Sequence, residues 1–250
     1  MKNTLKRLLP LTVRSLIFKV GSEVNWIMHH RSTINNFHEC FSGKKIALIG
    51  SSPSLTGQMA GLEIDQYDVC IRVNFPRNRG MESDRGSRTD FIYAGANFEF
   101  VPRDWLQESG WQNAILVTSV NNKRYFQDIS CAEKKIYLPI SFNLKTIKRA
   151  SKCLSFDYRQ LGGMPRSGVM FVLFLLLYSR KAKITLYGFS TDSVSALSTI
   201  SPLSEVMLYD TAKLLNAHCE PHAEIELLKY IWSAGLINWY EMGISRNDSG

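Results

Sequence analysis

From Lys45 onward the chain alternates two kinds of hydrophobic pattern. Short apolar runs at Lys45–Gly50 (KIALIG), Tyr67–Val73, Asp90–Ala94, Ala114–Thr118, Lys135–Pro139 and Lys183–Tyr187 read as strands buried on both faces. Helical spacing fits a short stretch near Leu55–Leu62 and longer ones near Ser141–Ser151, Gly168–Ser179, Glu205–Leu215 and His222–Ala234. Such alternation predicts an α/β domain, a mostly parallel sheet with helices on both faces. The chain holds no internal repeat and no low-complexity segment.

The amino-terminal stretch has a different pattern. Leu9, Val13, Leu16, Val20, Val24 and Ile27 recur at helical spacing, with Pro10 tolerable in a first turn, which predicts an amphipathic helix. Two placements fit it, packed on the main domain or lying flat on an anionic membrane. The polar stretch Arg31–Gly43 reads as a linker. The expected division is therefore an arm and linker at 1–43 and a main α/β domain at 44–250.

Charge sharpens that division. Of the net +8, the first 50 residues supply eight basic side chains against two acidic ones, and the remainder is close to neutral. Basic and aromatic residues are not interleaved across any element, so no nucleic-acid partner is expected. With 250 residues, 45% of them hydrophobic, the composition is that of one globular domain with an appendage rather than a disordered or coiled-coil chain. The longest apolar run, Gly168–Tyr178, has eleven residues, short of the about 20 that cross a bilayer as a helix. Arg14 interrupts the only leader-like stretch, and no small-residue cleavage site follows it. Five scattered cysteines without a CxxC fit a reducing compartment.

Ligands of open α/β sheets bind beyond the carboxyl ends of the strands. That rule points to the turn Gly50-Ser51-Ser52-Pro53-Ser54, whose amides and hydroxyls suit a phosphate although it is neither a P-loop nor a GxGxxG. Asn74 at the end of the next strand could offer a donor and an acceptor to a base or sugar, or simply cap a turn. The string Asp84-Arg85-Gly86-Ser87-Arg88-Thr89 reads as structural wiring rather than a diphosphate contact.

These residues together resemble a known family. Ile46–Tyr93 is similar to the large sialyl motif of family 29 sialyltransferases, through Gly-x-Ser, Glu-Ile-Asp-x-Tyr-Asp-Val, Arg-x-Asn-Phe and Gly-Ser-Arg-Thr in order. Pro165-Arg166-Ser167-Gly168, the apolar helix and Leu186-Tyr187-Gly188-Phe189 resemble the small sialyl motif, and the Gly-Ser-Ser-Pro-Ser turn also resembles the bacterial family 42 enzymes. The resemblance implies a single Rossmann-like domain, a GT-A variant, that moves a sialic acid from CMP-sialic acid to a glycan hydroxyl, with inversion and without a metal. Carried over by position, it implies donor contacts at Gly50, Ser51, Ser52, Asn74, Ser167 and Gly168, with Tyr187 on the strand leading into that side of the site. Two departures stand out. Ser51 occupies a position that is usually Asn, which keeps a CMP-Kdo donor open. Ile46 stands where animal members have a cysteine, so their inter-motif disulfide has no counterpart.

Displacing CMP requires a base, and histidine suits the task. His218 and His222 precede Glu224 at a spacing that resembles the family's third motif, His-x4-Glu, with one residue inserted if His218 is the base. His218 is the preferred base and His222 the alternative, with Glu224 orienting it or biasing a helix start; both histidines could instead be caps. His218-Cys219-x2-His222 falls short of the about four ligands of a zinc site, so neither a metal nor another cofactor is expected. The expected partners are CMP-sialic acid, a glycan or glycolipid acceptor and an anionic membrane surface met through residues 1–30. The expected location is the cytoplasm of a bacterial-type cell, peripheral on the inner membrane. A non-catalytic nucleotide-sugar-binding protein and a membrane-peripheral assembly protein are the rival readings.

Overall fold

The computed structural model describes residues 24, 31–32, 34–73, 80–94, 114–119, 135–138, 142–191 and 220–242. Its centre is a seven-stranded, all-parallel sheet: β1 (Lys45–Ile49), β2 (Val69–Val73), β3 (Phe91–Ala94), β4 (Ile115–Ser119), β5 (Lys135–Leu138), β6 (Lys183–Tyr187) and β7 (Asn238–Trp239). The strand order is β5-β4-β3-β2-β1-β6-β7, with Ile49 of β1 in register with Tyr187 of β6. The chain thus winds outward from β1 to β5, then returns to the other side of β1. That reversal is a topological switch point, and it lies between β1 and β6.

Strand periodicity sorts the core into two layers. Ile46 and Leu48 face the larger cluster, and Ala47 and Ile49 face a smaller one that includes Leu55, Ala60, Ile64, Cys70 and Tyr187. The helices are α1 (Gly61–Ile64), α2 (Glu82–Arg85), α3 (Phe142–Leu154), α4 (Ser167–Tyr178) and α5 (Pro221–Ser233). Helix α4 holds the longest apolar run, and seven consecutive residues from Val169 to Leu175 are buried. A helix apolar on every side belongs inside a protein, and here Phe171 stacks on Tyr93 of β3 with centroids 4.3 Å apart.

All six expected strands are present, as are the helices expected near 141–151, 168–179 and 222–234. The helix expected near Glu205–Leu215 lies outside the described residues. Three differences have physical causes. The helix expected near Leu55–Leu62 is instead a 3-10 turn, Pro53–Leu55, followed by the single turn of α1. Gly57 and Met59, at φ +78° and +55°, break the path between them. Their amides donate to the Asp84 carboxylate instead of to a helix ladder. The stretch expected to be a linker is helical over 34–41 and sends Phe37 and Phe41 into the larger core. Its polar residues face outward, so composition alone hides two core positions four residues apart. Finally, β7 was not expected, because it is only two residues long.

Phe41 is fully buried, with its ring 4.8 Å from that of Phe91. Phe41→Ala should cost about 3–5 kcal/mol of unfolding free energy, read from urea denaturation. A cost below about 1 kcal/mol would show that 34–41 lies on the fold without supporting it.

Candidate active site

At the switch point, two turns lie backbone against backbone. The Gly50 amide donates to the Tyr187 carbonyl at 2.7 Å and the Ser52 amide to the Gly188 carbonyl at 3.0 Å, extending the β1–β6 ladder past both strand ends. A Cβ on Gly50 would stand 2.4 Å from the Gly188 oxygen, so no larger residue fits without parting the turns. Gly188 also needs its φ of +66°, which strains other residues. The Ser52 and Ser190 hydroxyls close the pair with a buried 2.8 Å hydrogen bond. Ser190 begins the stretch after β6 for which the sequence offers no motif.

The amino terminus of α4 meets the same place through a single ring. A Cβ on Gly168 would approach Phe189 Cε1 at 2.8 Å, and one on Gly50 would approach Phe189 Cδ2 at 3.2 Å. Gly50 and Gly168, 118 positions apart, are therefore both shaped around Phe189. The Trp239 indole holds the Phe189 carbonyl at 3.0 Å. Glu241 Oε1 accepts from the Gly188 amide at 2.7 Å and from the Ser54 hydroxyl at 2.8 Å, tying the two turns together from behind.

The chain matches the model of glycosyltransferase family 29 (sialyltransferase) over residues 27–201. It belongs to that family. A relative from Gallus gallus, CMP-N-acetylneuraminate-beta-galactosamide-alpha-2,3-sialyltransferase 1, is 27% identical over 166 residues, which are 61% of this chain and 46% of the relative. The corresponding transferase 2 of Mus musculus is 27% identical over 165 residues, 60% of this chain and 44% of that one. The chain thus spans somewhat under half the length of these relatives. The crystal structure of a mammalian sialyltransferase in complex with Gal-beta-1-3GalNAc-ortho-nitrophenol superposes with a TM-score of 0.52 at 18% identity, covering 88% of this chain and 85% of that one. The fold is shared.

Within this family 29 domain, the residues read from sequence fall into three groups. Gly50, Ser51, Ser52, Ser167 and Gly168 converge on the crevice, from two motifs far apart in the chain. Asn74 and His218 lie outside the described residues. Tyr187, Glu224 and His222 form the third group. The Tyr187 side chain is fully buried in the smaller core, where its hydroxyl donates to Glu63 and lies 3.0 Å from the Tyr67 hydroxyl. Burial and these partners push its proton affinity far up, and the side chain stands behind the site rather than opening onto it. Glu224 was expected to support a histidine or to bias a helix start, and it stands in the first turn of α5. It is 3% exposed and accepts from the Arg166 amide and, at 2.6 Å, from Arg166 Nε. It locks the start of α5 to the residue that opens α4. His222 is exposed; two residues from Glu224, it points about 200° away around the helix, off the α4 side.

The Asp84–Thr89 string is wiring, as the sequence suggested. Arg72 is fully buried and donates to the carbonyls of Arg85, Gly86 and Arg88 and to Thr89 Oγ1; burial lowers its pKa to about 10. Asp65 accepts from the Ser87 amide and hydroxyl and from the Arg88 amide. Burial alone would raise its pKa, but these bonds together outweigh it and the net shift is downward. Sequence reasoning missed Arg85, Phe189, Ser190, Trp239 and Glu241. Of these, Arg85 and Phe189 sat within the recognised motifs; Arg85 and Trp239 hold backbone carbonyls, Ser190 the Ser52 hydroxyl, and Glu241 the Gly188 amide and the Ser54 hydroxyl, contacts that leave no residue pattern. No group of three or more histidine, cysteine or acidic residues among the described residues is placed to hold a metal.

Two measurements test this arrangement. Arg166→Ala leaves Glu224 buried without its guanidinium, and should cost about 2–4 kcal/mol in urea unfolding. Burial raises the pKa of Glu241, against hydrogen bonds from Ser54 and from the Gly188 and Phe189 amides. Its stabilising contribution is therefore complete below the ordinary carboxylate range and is lost as pH rises through the raised value. Glu241→Gln keeps the accepting oxygen, so its stability relative to wild type should improve as pH rises from the ordinary carboxylate range through the raised pKa of Glu241. A pH-independent difference would place the Glu241 charge in solvent.

Proposed function

We propose that the protein is a sialyltransferase that moves a sialic acid from its CMP-activated form to a hydroxyl of a galactose-terminated glycan. Family membership supports the class, and the acceptor follows from the beta-galactosamide in the names of its relatives. The observation that carries the reading is the meeting of the turn after β1 with the start of α4 around Phe189. In this reading the donor phosphate lies along Gly50-Ser51-Ser52, and the amides of Ser167 and Gly168 at the α4 terminus face the sugar side. Helix amino termini and unpaired amides favour an anion.

The acceptor oxygen bonds to the anomeric carbon as the bond from that carbon to the phosphate oxygen breaks. The configuration inverts, CMP departs with the bond electrons, and His218 takes the hydroxyl proton. The outward placement of His222 favours His218 for that role. The charge on departing CMP is met by amides and hydroxyls, so the reaction is proposed to need no metal. Residues 1–30, rich in basic side chains, are proposed to bring the enzyme to an anionic membrane surface, on the cytoplasmic side of a bacterial-type inner membrane. No helix among the described residues is long and apolar enough to cross a membrane. Ser51, a shorter group than the usual asparagine, favours keeping CMP-Kdo as the second donor to offer.

The test is CMP release from CMP-Neu5Ac or CMP-Kdo with lactose, in the presence of a chelator. Release from CMP-Neu5Ac is expected, with His218→Ala lowering kcat about 10²–10⁴-fold and His222→Ala nearly unchanged. Release only from CMP-Kdo would change the donor. CMP binding without release from either would leave a nucleotide-binding protein and end the transferase reading.

A further inference from the structure

Arg85, the last residue of α2, is fully buried directly beneath the turn after β1. Its two terminal nitrogens donate to the Gly50 carbonyl at 3.2 Å and the Ser52 carbonyl at 2.5 Å. Its Nε is buried without a partner, and among the described residues Arg85 makes no ion pair. Two carboxylates lie near it, neither bonded to it, and Glu241 Oε2 is itself buried without a partner. Asp84 accepts from the amides of Gly57 and Met59, and Glu241 Oε1 from Gly188 and Ser54. Burying a guanidinium with no bonded carboxylate is costly, and an apolar residue of similar volume is often better tolerated.

What the cation touches explains its place. Within the turn, the amides of Gly50, Ser52 and Ser54 donate to Tyr187, Gly188 and Ser52 Oγ, and Pro53 has none. The Ser51 amide and hydroxyl have no partner among the described residues, and Ser51 is partly exposed. The Ser51 N–H belongs to the same peptide group as the Gly50 carbonyl that Arg85 holds. A cation bonded to the oxygen of a peptide group strengthens the donor on its other side.

We propose that Arg85 is a positioning residue for the donor phosphate, turning the Ser51 amide toward a bound CMP and strengthening it as a donor without touching the ligand itself. The inference rests on the CMP-sugar reading above. Because the reach of Arg85 ends at the phosphate turn, it should govern binding of CMP and not of cytidine, which lacks the phosphate.

The test is calorimetric titration of the full chain with CMP and with cytidine, for wild type, Arg85→Lys, Arg85→Met and Arg85→Gln. The two neutral variants should lower CMP affinity about tenfold or more while cytidine changes less than about twofold, and Arg85→Lys should retain most of the preference for CMP. An equal fall for both ligands, or no fall, in a neutral variant with a native-like thermal transition would overturn the proposal. Should neither neutral variant fold, the wild-type Ser51 amide decides by NMR. It should shift downfield with CMP and stay in place with cytidine; no shift with CMP refutes the proposal. A wild type that binds neither ligand would sink the CMP-sugar reading and this inference together. CMP binding that is indifferent to Arg85 would sink this inference alone.

Discussion

The contact between Gly50 and Gly188 sets the rest of the site. Two parallel strands, β1 and β6, deliver their turns so close together that a Cβ on Gly50 would collide with the opposing carbonyl. With no side chain between them, the turns bond through backbone groups, and those bonds determine which amides are taken and which stay open. Phe189 then follows Gly188 directly and fills the space that two absent Cβ atoms leave beside Gly50 and Gly168. The amino terminus of α4 is positioned by that ring. A crevice at a switch point is a general property of open α/β sheets; its shape here comes from three glycines and one phenylalanine.

Polar burial follows from the same arrangement. Turns packed backbone to backbone leave carbonyl oxygens facing inward, and unpaired ones would be costly. Arg85 and Arg72 answer them with guanidinium groups, one under the turn after β1 and the other under the segment Arg85–Arg88. The two cations lie near enough that each is affected by burial and by charge around it, yet neither is matched by a bonded carboxylate. The turn after β1 is consequently held from beneath by a buried guanidinium.

The sequence was legible where side-chain pattern and structure share a period. Buried strands announce themselves as unbroken apolar runs, so KIALIG and KITLY were placed correctly, and α4 could hardly be anything but a buried helix. The crevice residues Gly50, Ser52, Ser167 and Gly168 were legible because their roles depend on residue type, small size or a hydroxyl. Helix 34–41 was hidden because Phe37 and Phe41 are its only fully buried positions amid polar neighbours. Tyr187 was found, but its side chain packs behind the crevice, and Glu224 was found at a helix start, where it holds Arg166. Spacing along the chain places a residue near a strand end or helix start, but it does not tell whether its side chain turns toward the crevice or into the packing behind it. Both turn inward.

The carboxyl-terminal elements show why the crevice is not contained in its two motifs alone. The match to the family ends at residue 201, yet Trp239 holds the Phe189 carbonyl and Glu241 holds both Gly188 and Ser54. Each of these bonds goes to backbone or to a hydroxyl on the motif side, so the motifs record the held groups and not the holders. Strand β7, two residues long and paired to β6, brings both side chains there by extending the sheet one strand past the switch point. On the opposite flank α5 adds Glu224, which fixes Arg166 at the start of α4. The two glycine turns are thus gripped on either side by a segment that begins after both have been synthesised. The crevice geometry therefore depends on the docking of α5 and β7, while the sheet order from β5 to β6 needs neither of them.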